Sequence, residues 1–281
     1  MANDMHLSHG IPNIWYRARI SWSGDNSGRS LNGVTLPGSP TLITGSNGDV
    51  AWGFTNSYVD AADLVRLEVN RSDSTLYRTP DGWEKFQAIE EVIEAGDGEA
   101  DTLLIRQTRW GPVRLEDAAG NPMALRWTAH DTAAVNINLL ELETARSVDE
   151  AVTVAAGAGI PPQNFVCADR AGNIAWTIAG RLPDRFGWDG RIPVSWADGS
   201  CGWDGYLKPK QQPRIVRPEE GLLWTANNRV AGEEFLKTMG DGGYEIGARA
   251  SQIRDALREI DQPAEKDMLG LQLNDRALFM D

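Results

Sequence analysis

Cysteine and histidine are scarce in this chain, with two cysteines and three histidines among 281 residues. Cys167 lies in an apolar strand pattern and Cys201 in a glycine-rich loop, and no CxxC or Cys/His metal spacing occurs. That excludes a zinc cluster of the usual spacing and a disulfide framework. Long apolar runs are missing too. No stretch approaches the roughly eighteen residues a membrane span needs. The opening MANDMHLSHG turns polar directly after Ala2, unlike a signal peptide. Positive charge is in deficit: 27 Lys and Arg against 40 Asp and Glu leave a net charge of −13. A nucleic-acid partner would want a basic face, so that class is set aside, and the acidity serves solubility.

Tryptophan is plentiful instead. Several of the 11 fall in loop-like contexts, among them Trp83, Trp110, Trp188 and Trp203. Large rings of this kind cover sheet edges. A second reading makes Trp188 and Trp203 the walls of a groove in a non-catalytic acyl- or carbohydrate-binding protein. The 41% hydrophobic content suffices for a sizeable core.

Strand patterns dominate the first 130 residues. Leu64–Val69 and Thr102–Thr108 alternate, and turn signals stand at Pro80-Asp81-Gly82, Gly96-Asp97-Gly98 and Gly120-Asn121-Pro122, which predicts an antiparallel meander. Residues 133–143 then carry helical spacing. Ser147 with Glu150 reads as a capping box that opens a helix over Val148–Ala156, stopped by Gly157. A hairpin is expected around Asp169–Gly172. The Gly-, Pro- and Trp-rich stretch from Arg181 to Gly221 is expected to wrap the surface, and Leu222–Thr225 to form a last strand. Ala248–Ile260 is an amphipathic helix with Ile253 and Leu257 on one face, and another helix follows Pro263. The order is that of an α+β layered chain without a dividing linker. Gly48-Asp-Val-Ala-Trp52 echoes Gly172-Asn-Ile-Ala-Trp176, but two copies 124 residues apart are too few for a propeller.

The densest signal runs from Thr35 to Asp63. A Pro37-Gly38 turn leads to a strand over Thr41–Thr44. Asn47-Gly48 suits a type I′ turn, and the return strand Val50–Thr55 delivers Asn56, then Asp60 and Asp63. Further pieces stand in order along the chain: Ala2-Asn3-Asp4, Gly33 to Gly38, Trp52-Gly53, Thr108 to Pro112 and Ala168-Asp169 with Gly172-Asn173. Leu182-Pro183-Asp184-Arg185, Ala226-Asn227-Asn228 and Gly247-Ala248-Arg249 follow. Together they resemble the large (beta) subunit of the penicillin acylase (penicillin amidase) family of N-terminal-nucleophile hydrolases.

The resemblance implies a partial αββα layered fold with antiparallel sheets that lacks the nucleophile strand, residues 1–281 being one fragment of the large-subunit domain. The family places its nucleophilic serine some twenty residues upstream of Ala2, so the chain alone is expected to be inactive. It implies hydrolysis of an amide in an N-acylated small molecule such as a beta-lactam or acyl-homoserine lactone. By motif matching, the oxyanion donors fall at Asn56 and Asn227, Arg249 orients Asn227, and His6 stands near the nucleophile's amine. Leu7, Thr44, Phe54 and Gln163 match acyl-pocket positions. Asp60, Ala62, Asp63 and Gly190 match a structural calcium site. A small (alpha) subunit from the same precursor, a periplasmic or secreted location and self-association through an exposed sheet edge complete the expectations.

Overall fold

The computed structural model describes residues 1–4, 7, 10–23, 29–96 and 98–279. The early strands are β1 (Tyr16–Trp22), β2 (Arg29–Thr35), β3 (Thr44–Ser46), β4 (Val50–Asn56) and β5 (Ala62–Arg66). Next come β6 (Leu76–Thr79), β7 (Gly82–Lys85), β8 (Gln87–Glu94), β9 (Ala100–Thr108), β10 (Gly111–Glu116) and β11 (Pro122–Trp127). Helix α1 (Val148–Gly157) leads to β12 (Gln163–Asp169), β13 (Ile174–Ala179), β14 (Pro183–Phe186), β15 (Gly202–Tyr206) and β16 (Arg214–Val216). Helices α2 (Glu233–Met239), α3 (Ala248–Arg258) and α4 (Glu265–Gln272) follow. The chain is therefore α+β with antiparallel sheets. It divides into two compact units: Met1–Val59 with Ala133–Leu182 and Leu207–Asp281, and Asp60–Thr132 with Pro183–Tyr206.

The first unit holds a seven-stranded sheet in the order β1-β2-β3-β4-β12-β13-β16. Strand alternation decides its two faces. Val50, Trp52, Phe165, Cys167, Ala175 and Ala179 turn to one side, against Val148, Ala151, Val152 and Ala155 of α1. Trp176 and Ile178 turn to the other, beside Leu182 and Met239. Covered on both faces, β13 reads as an almost unbroken apolar run, as doubly buried strands do. The echoed Gly-Asp-Val-Ala-Trp and Gly-Asn-Ile-Ala-Trp segments prove to be the starts of β4 and β13, which flank β12.

The second unit carries the meander, β5-β11-β10-β9-β8, with the hairpins β6–β7 and β14–β15. Val65, Leu67, Tyr77, Phe86, Ala124, Trp196 and Cys201 form its core.

Several expectations need correction. Thr41–Thr44 is not a strand until Thr44, because side chains take the carbonyls there: Thr35 Oγ1 donates to Thr41 O at 2.7 Å and Trp52 Nε1 to Leu42 O at 3.3 Å. The Asn47-Gly48 turn is not type I′, since only Gly48 takes a positive φ, at 90°. Asn47 is held instead by its side chain, which donates to Leu142 O and Ala145 O, both at 2.8 Å. Residues 133–143 form two short 3-10 turns, Thr132–Ala134 and Asn138–Glu143, and no α-helix. Asn136 interrupts them, with Oδ1 accepting from Gly159 N at 2.8 Å and Nδ2 donating to Gly157 O at 3.1 Å. Leu222–Thr225 is no strand: it runs against β4 through a side-chain contact, the Thr225 hydroxyl lying 3.3 Å from that of Thr55. Arg181–Gly221 does not merely wrap the surface: it supplies three strands and buries Leu182, Trp196 and Gln212.

Candidate active site

Strand β4 ends at Asn56, whose backbone carbonyl is the meeting point of two carboxamides. Asn227 donates to it through Nδ2 at 2.9 Å, and Asn164 through Nδ2 at 3.2 Å. Arg249, the second residue of α3, donates from its guanidinium to Asn227 Oδ1 at 2.7 Å. That bond fixes which end of the Asn227 amide is oxygen, because an arginine only donates. One Nδ2 hydrogen of Asn227 is held by Asn56 O, and the second makes no hydrogen bond among the described residues.

The backbone prepares this geometry. Asn227 is buried and takes φ 68°, a left-handed conformation that asparagine tolerates better than most residues. Its own carbonyl accepts from Glu245 N at 3.0 Å, which ties the turn to the segment entering α3. Gly247, at φ 83°, then starts the helix so that Arg249 falls in its first turn. After Asn56 the chain is pinned again, with Ser57 Oγ donating to Pro162 O at 2.8 Å. Backbone held away from its usual wells at such a place is a common mark of a preorganised site.

The sequence motifs thus converge: Asn56, Asn227 and Arg249, far apart in the chain, form one hydrogen-bonded group. His6 lies outside the described residues. Gln163 joins from β12, donating through Nε2 to Asn56 Oδ1 at 3.3 Å. Phe54, two residues before Asn56 on the same face, packs on Phe165 with centroids 5.3 Å apart. The Thr44 hydroxyl donates to Trp52 O at 2.7 Å, and Leu7 is exposed. A cavity of about 580 Å³ borders Arg249, with Thr55, Val166, Leu223, Ile253 and Leu257 among its walls.

Sequence reasoning missed Asn164 and Trp176. Asn164 is 1% exposed, and its Oδ1 accepts from the fully buried indole of Trp176 at 2.9 Å. The available signal was an amide at the start of an otherwise apolar strand. Neither cysteine offers a thiolate: burial pushes Cys167 up to about 12 and raises Cys201 as well.

The acidic pair belongs to the second unit. Arg185 lies against both carboxylates, with Nε 2.8 Å from Asp63 Oδ2 and a terminal nitrogen 3.2 Å from Asp60 Oδ1. Trp203 Nε1 donates to the same Asp63 oxygen at 2.6 Å. Burial pushes the Asp63 carboxyl up, against the pull of Arg185 and Trp203. Asp63 Oδ1 remains buried without a hydrogen-bond partner. An orphaned carboxylate oxygen suits a hard cation. The fit is partial: Arg185 already supplies positive charge, and among the described residues no three His, Cys, Asp or Glu side chains gather.

The aromatic groove expected at Trp188 and Trp203 does not form. Both rings pack on Trp196, at centroid distances of 5.6 and 6.4 Å, with Arg185 5.8 and 5.9 Å from them. Their N–H groups bond to Ile192 O and Asp63.

Comparison with known proteins places this arrangement. The sequence model of the penicillin amidase family matches residues 1–281. An acyl-homoserine lactone acylase, QuiP, of Pseudomonas aeruginosa is 27% identical over 296 residues, covering 100% of this chain and 34% of that protein. Penicillin G acylase of Escherichia coli is 27% identical over 217 residues, 72% of this chain and 24% of its own length. The chain spans about a quarter to a third of the length of the curated relatives it matches. The solved thermostable penicillin G acylase of Alcaligenes faecalis shares the fold, with a TM-score of 0.76 over 92% of this chain and 46% of that one, at 23% identity. A sequence matched from end to end by one family, folded like one of its acylases, belongs to the penicillin amidase family.

Proposed function

We propose that this chain supplies the oxyanion-stabilising part of an acylase that cleaves the amide of an N-acylated small molecule, of the beta-lactam or acyl-homoserine lactone kind. The carrying observation is the Asn227 carboxamide, fixed at both ends by Arg249 and Asn56 O, with a second N–H that makes no hydrogen bond among the described residues. When a nucleophile attacks an amide carbonyl, negative charge grows on the oxygen, and donors already in place need no reorganisation to meet it. The Asn227 N–H and the backbone N–H of Asn56 are the donors in this reading. Arg249 polarises the Asn227 amide and keeps it from turning.

None of these three side chains is a nucleophile. The attacking hydroxyl and its amine base are those of the family's N-terminal serine, with His6 beside the amine, and the chain by itself is expected to release no acyl group. Leu7, Thr44, Phe54 and Gln163 are proposed to line the acyl side, which the position of Gln163 against Asn56 supports. The test is acyl release from a panel of N-acyl amides by the acylase assembled with its serine and small subunit. Asn227→Ala should lower kcat by about 10²–10³. An unchanged kcat in a folded Asn227→Ala enzyme sinks the assignment.

Calcium is proposed at Asp60, Ala62 O, Asp63 and Gly190 O, supported by the orphaned Asp63 oxygen. Calcium at about a hundredfold over its dissociation constant should stabilise the chain by about 2.7 kcal/mol relative to chelator. An identical melting curve in both buffers removes the site. Periplasmic or secreted location is carried over from the family resemblance, and fractionation of the producing cells decides it. Self-association is proposed at β1, an edge strand carrying exposed Tyr16 and Ile20. A concentration-independent monomer mass in light scattering would count against it.

A further inference from the structure

We infer that Asn164 is a positioning residue for the Asn227 carboxamide, acting through the carbonyl of Asn56; the inference rests on the acylase reading and extends it by one residue. Asn56 O has two lone pairs and receives two side-chain donors, Asn164 at 3.2 Å and Asn227 at 2.9 Å. Asn227 is therefore oriented by an acceptor that Asn164 holds in place. Asn164 is itself fixed by the Trp176 indole at 2.9 Å. The result is one relay of hydrogen bonds: Trp176 to Asn164, Asn164 and Asn227 to Asn56 O, Arg249 to Asn227.

Packing alone does not account for this amide. Asn164 and Trp176 are 1% and 0% exposed, on a sheet face they share with Ile178. An apolar pair of similar shape would fill that space without the desolvation of a buried amide and indole N–H. What the polar pair adds is a rigid donor beneath Asn56 O. Without it the Asn56 carbonyl loses one of its two anchors, and the Asn227 amide gains freedom to rotate about its last side-chain bond. An oxyanion donor that wanders acts on neither ground state nor transition state with full effect.

The test needs no substrate. In the parent chain, hydrogen exchange of the Trp176 indole, Asn164 amide and Asn227 amide, followed by NMR, should show the three opening together. Asn164→Leu should leave the circular dichroism unchanged while the Asn227 amide exchanges at least about tenfold faster. Trp176→Phe, which keeps Asn164 but removes its anchor, should give a smaller acceleration. Independent opening of Asn227 in the parent chain overturns the inference, as does unchanged Asn227 protection in whichever variant folds. In the assembled acylase, Asn164→Leu should lower kcat about tenfold with KM unchanged, and should add nothing in an Asn227→Ala background. Loss in that background equal to the loss in the parent means a structural role only. Because exchange is read without catalysis, an acylase reading that fails leaves the relay standing, and a relay that fails leaves the acylase reading standing.

Discussion

At the scale of single residues, the site depends on close approaches that admit only one side chain. Gly53 shows this best. A Cβ there would lie 2.7 Å from Asn3 Cγ and 2.9 Å from Asn3 Cβ. Asn3 is held over the strand by its Nδ2 bond to Phe54 O at 3.0 Å, and Gln272 Nε2 donates to Asn3 O at 2.8 Å. Gly53→Ala should therefore push Asn3 off the strand and cost about 1–3 kcal/mol, as overpacking does. Chemical denaturation measures it, and a loss below a few tenths of a kcal/mol would mean that Asn3 yields freely. The motif Trp52-Gly53 was legible in the sequence. The reason for its glycine was not, because Asn3 lies fifty residues away in the chain.

At the scale of elements, local chemistry was read well where it is truly local. Ser147 accepts from Glu150 N at 3.3 Å and opens α1 as its pattern predicts, while the Glu150 carboxylate reaches back to Arg146 N at 2.8 Å. Ser147→Ala should cost about 1 kcal/mol, the usual loss of an N-cap. Ser147→Asp should recover most of it, since an anion at that end also meets the helix dipole. Thermal unfolding of the two variants side by side checks both, and equal melting of Ala and Asp variants would place the stabilisation elsewhere. Elements failed to read where distant groups compete for the backbone. Leu222–Thr225 has strand composition but meets β4 through side chains, with Thr225 Oγ1 3.3 Å from Thr55 Oγ1. The helical spacing of residues 133–143 gives way because the Asn136 side chain bonds to Gly157 and Gly159. The site follows the same division. Asn56, Asn227 and Arg249 stand in motifs, whereas Asn164 carries none and Trp176 closes an echoed segment that says nothing of the site; both are recognised only through the partners that folding brings to them.

At the scale of the whole molecule, each compact unit has its own titrating anchor, so acid and alkali should loosen different parts. In the first unit, burial alone would raise Asp169. Hydrogen bonds from Asn173, Val148 N and Ala171 N outweigh that and hold its carboxyl below the ordinary value. A lowered folded value means stability that is present above the unfolded carboxylate range, near 4, and lost as the pH falls below it. In the second unit, burial pushes Tyr77 up to about 12. Its hydroxyl donates to Glu84 at 2.8 Å and accepts from Arg109 N at 2.9 Å. A raised folded value for a phenol stabilises the neutral form, so this contribution is complete below about 10, the unfolded value, and disappears as the pH climbs to about 12. Amide exchange resolved by residue should then show α1 and the Asp169 turn loosening first in acid, and the Tyr77 hairpin loosening first in alkali. Asp169→Asn should remove the first response and Tyr77→Phe the second, each leaving the other in place. If both units lose protection together at either extreme, the chain unfolds as one cooperative body and the two anchors do not act separately.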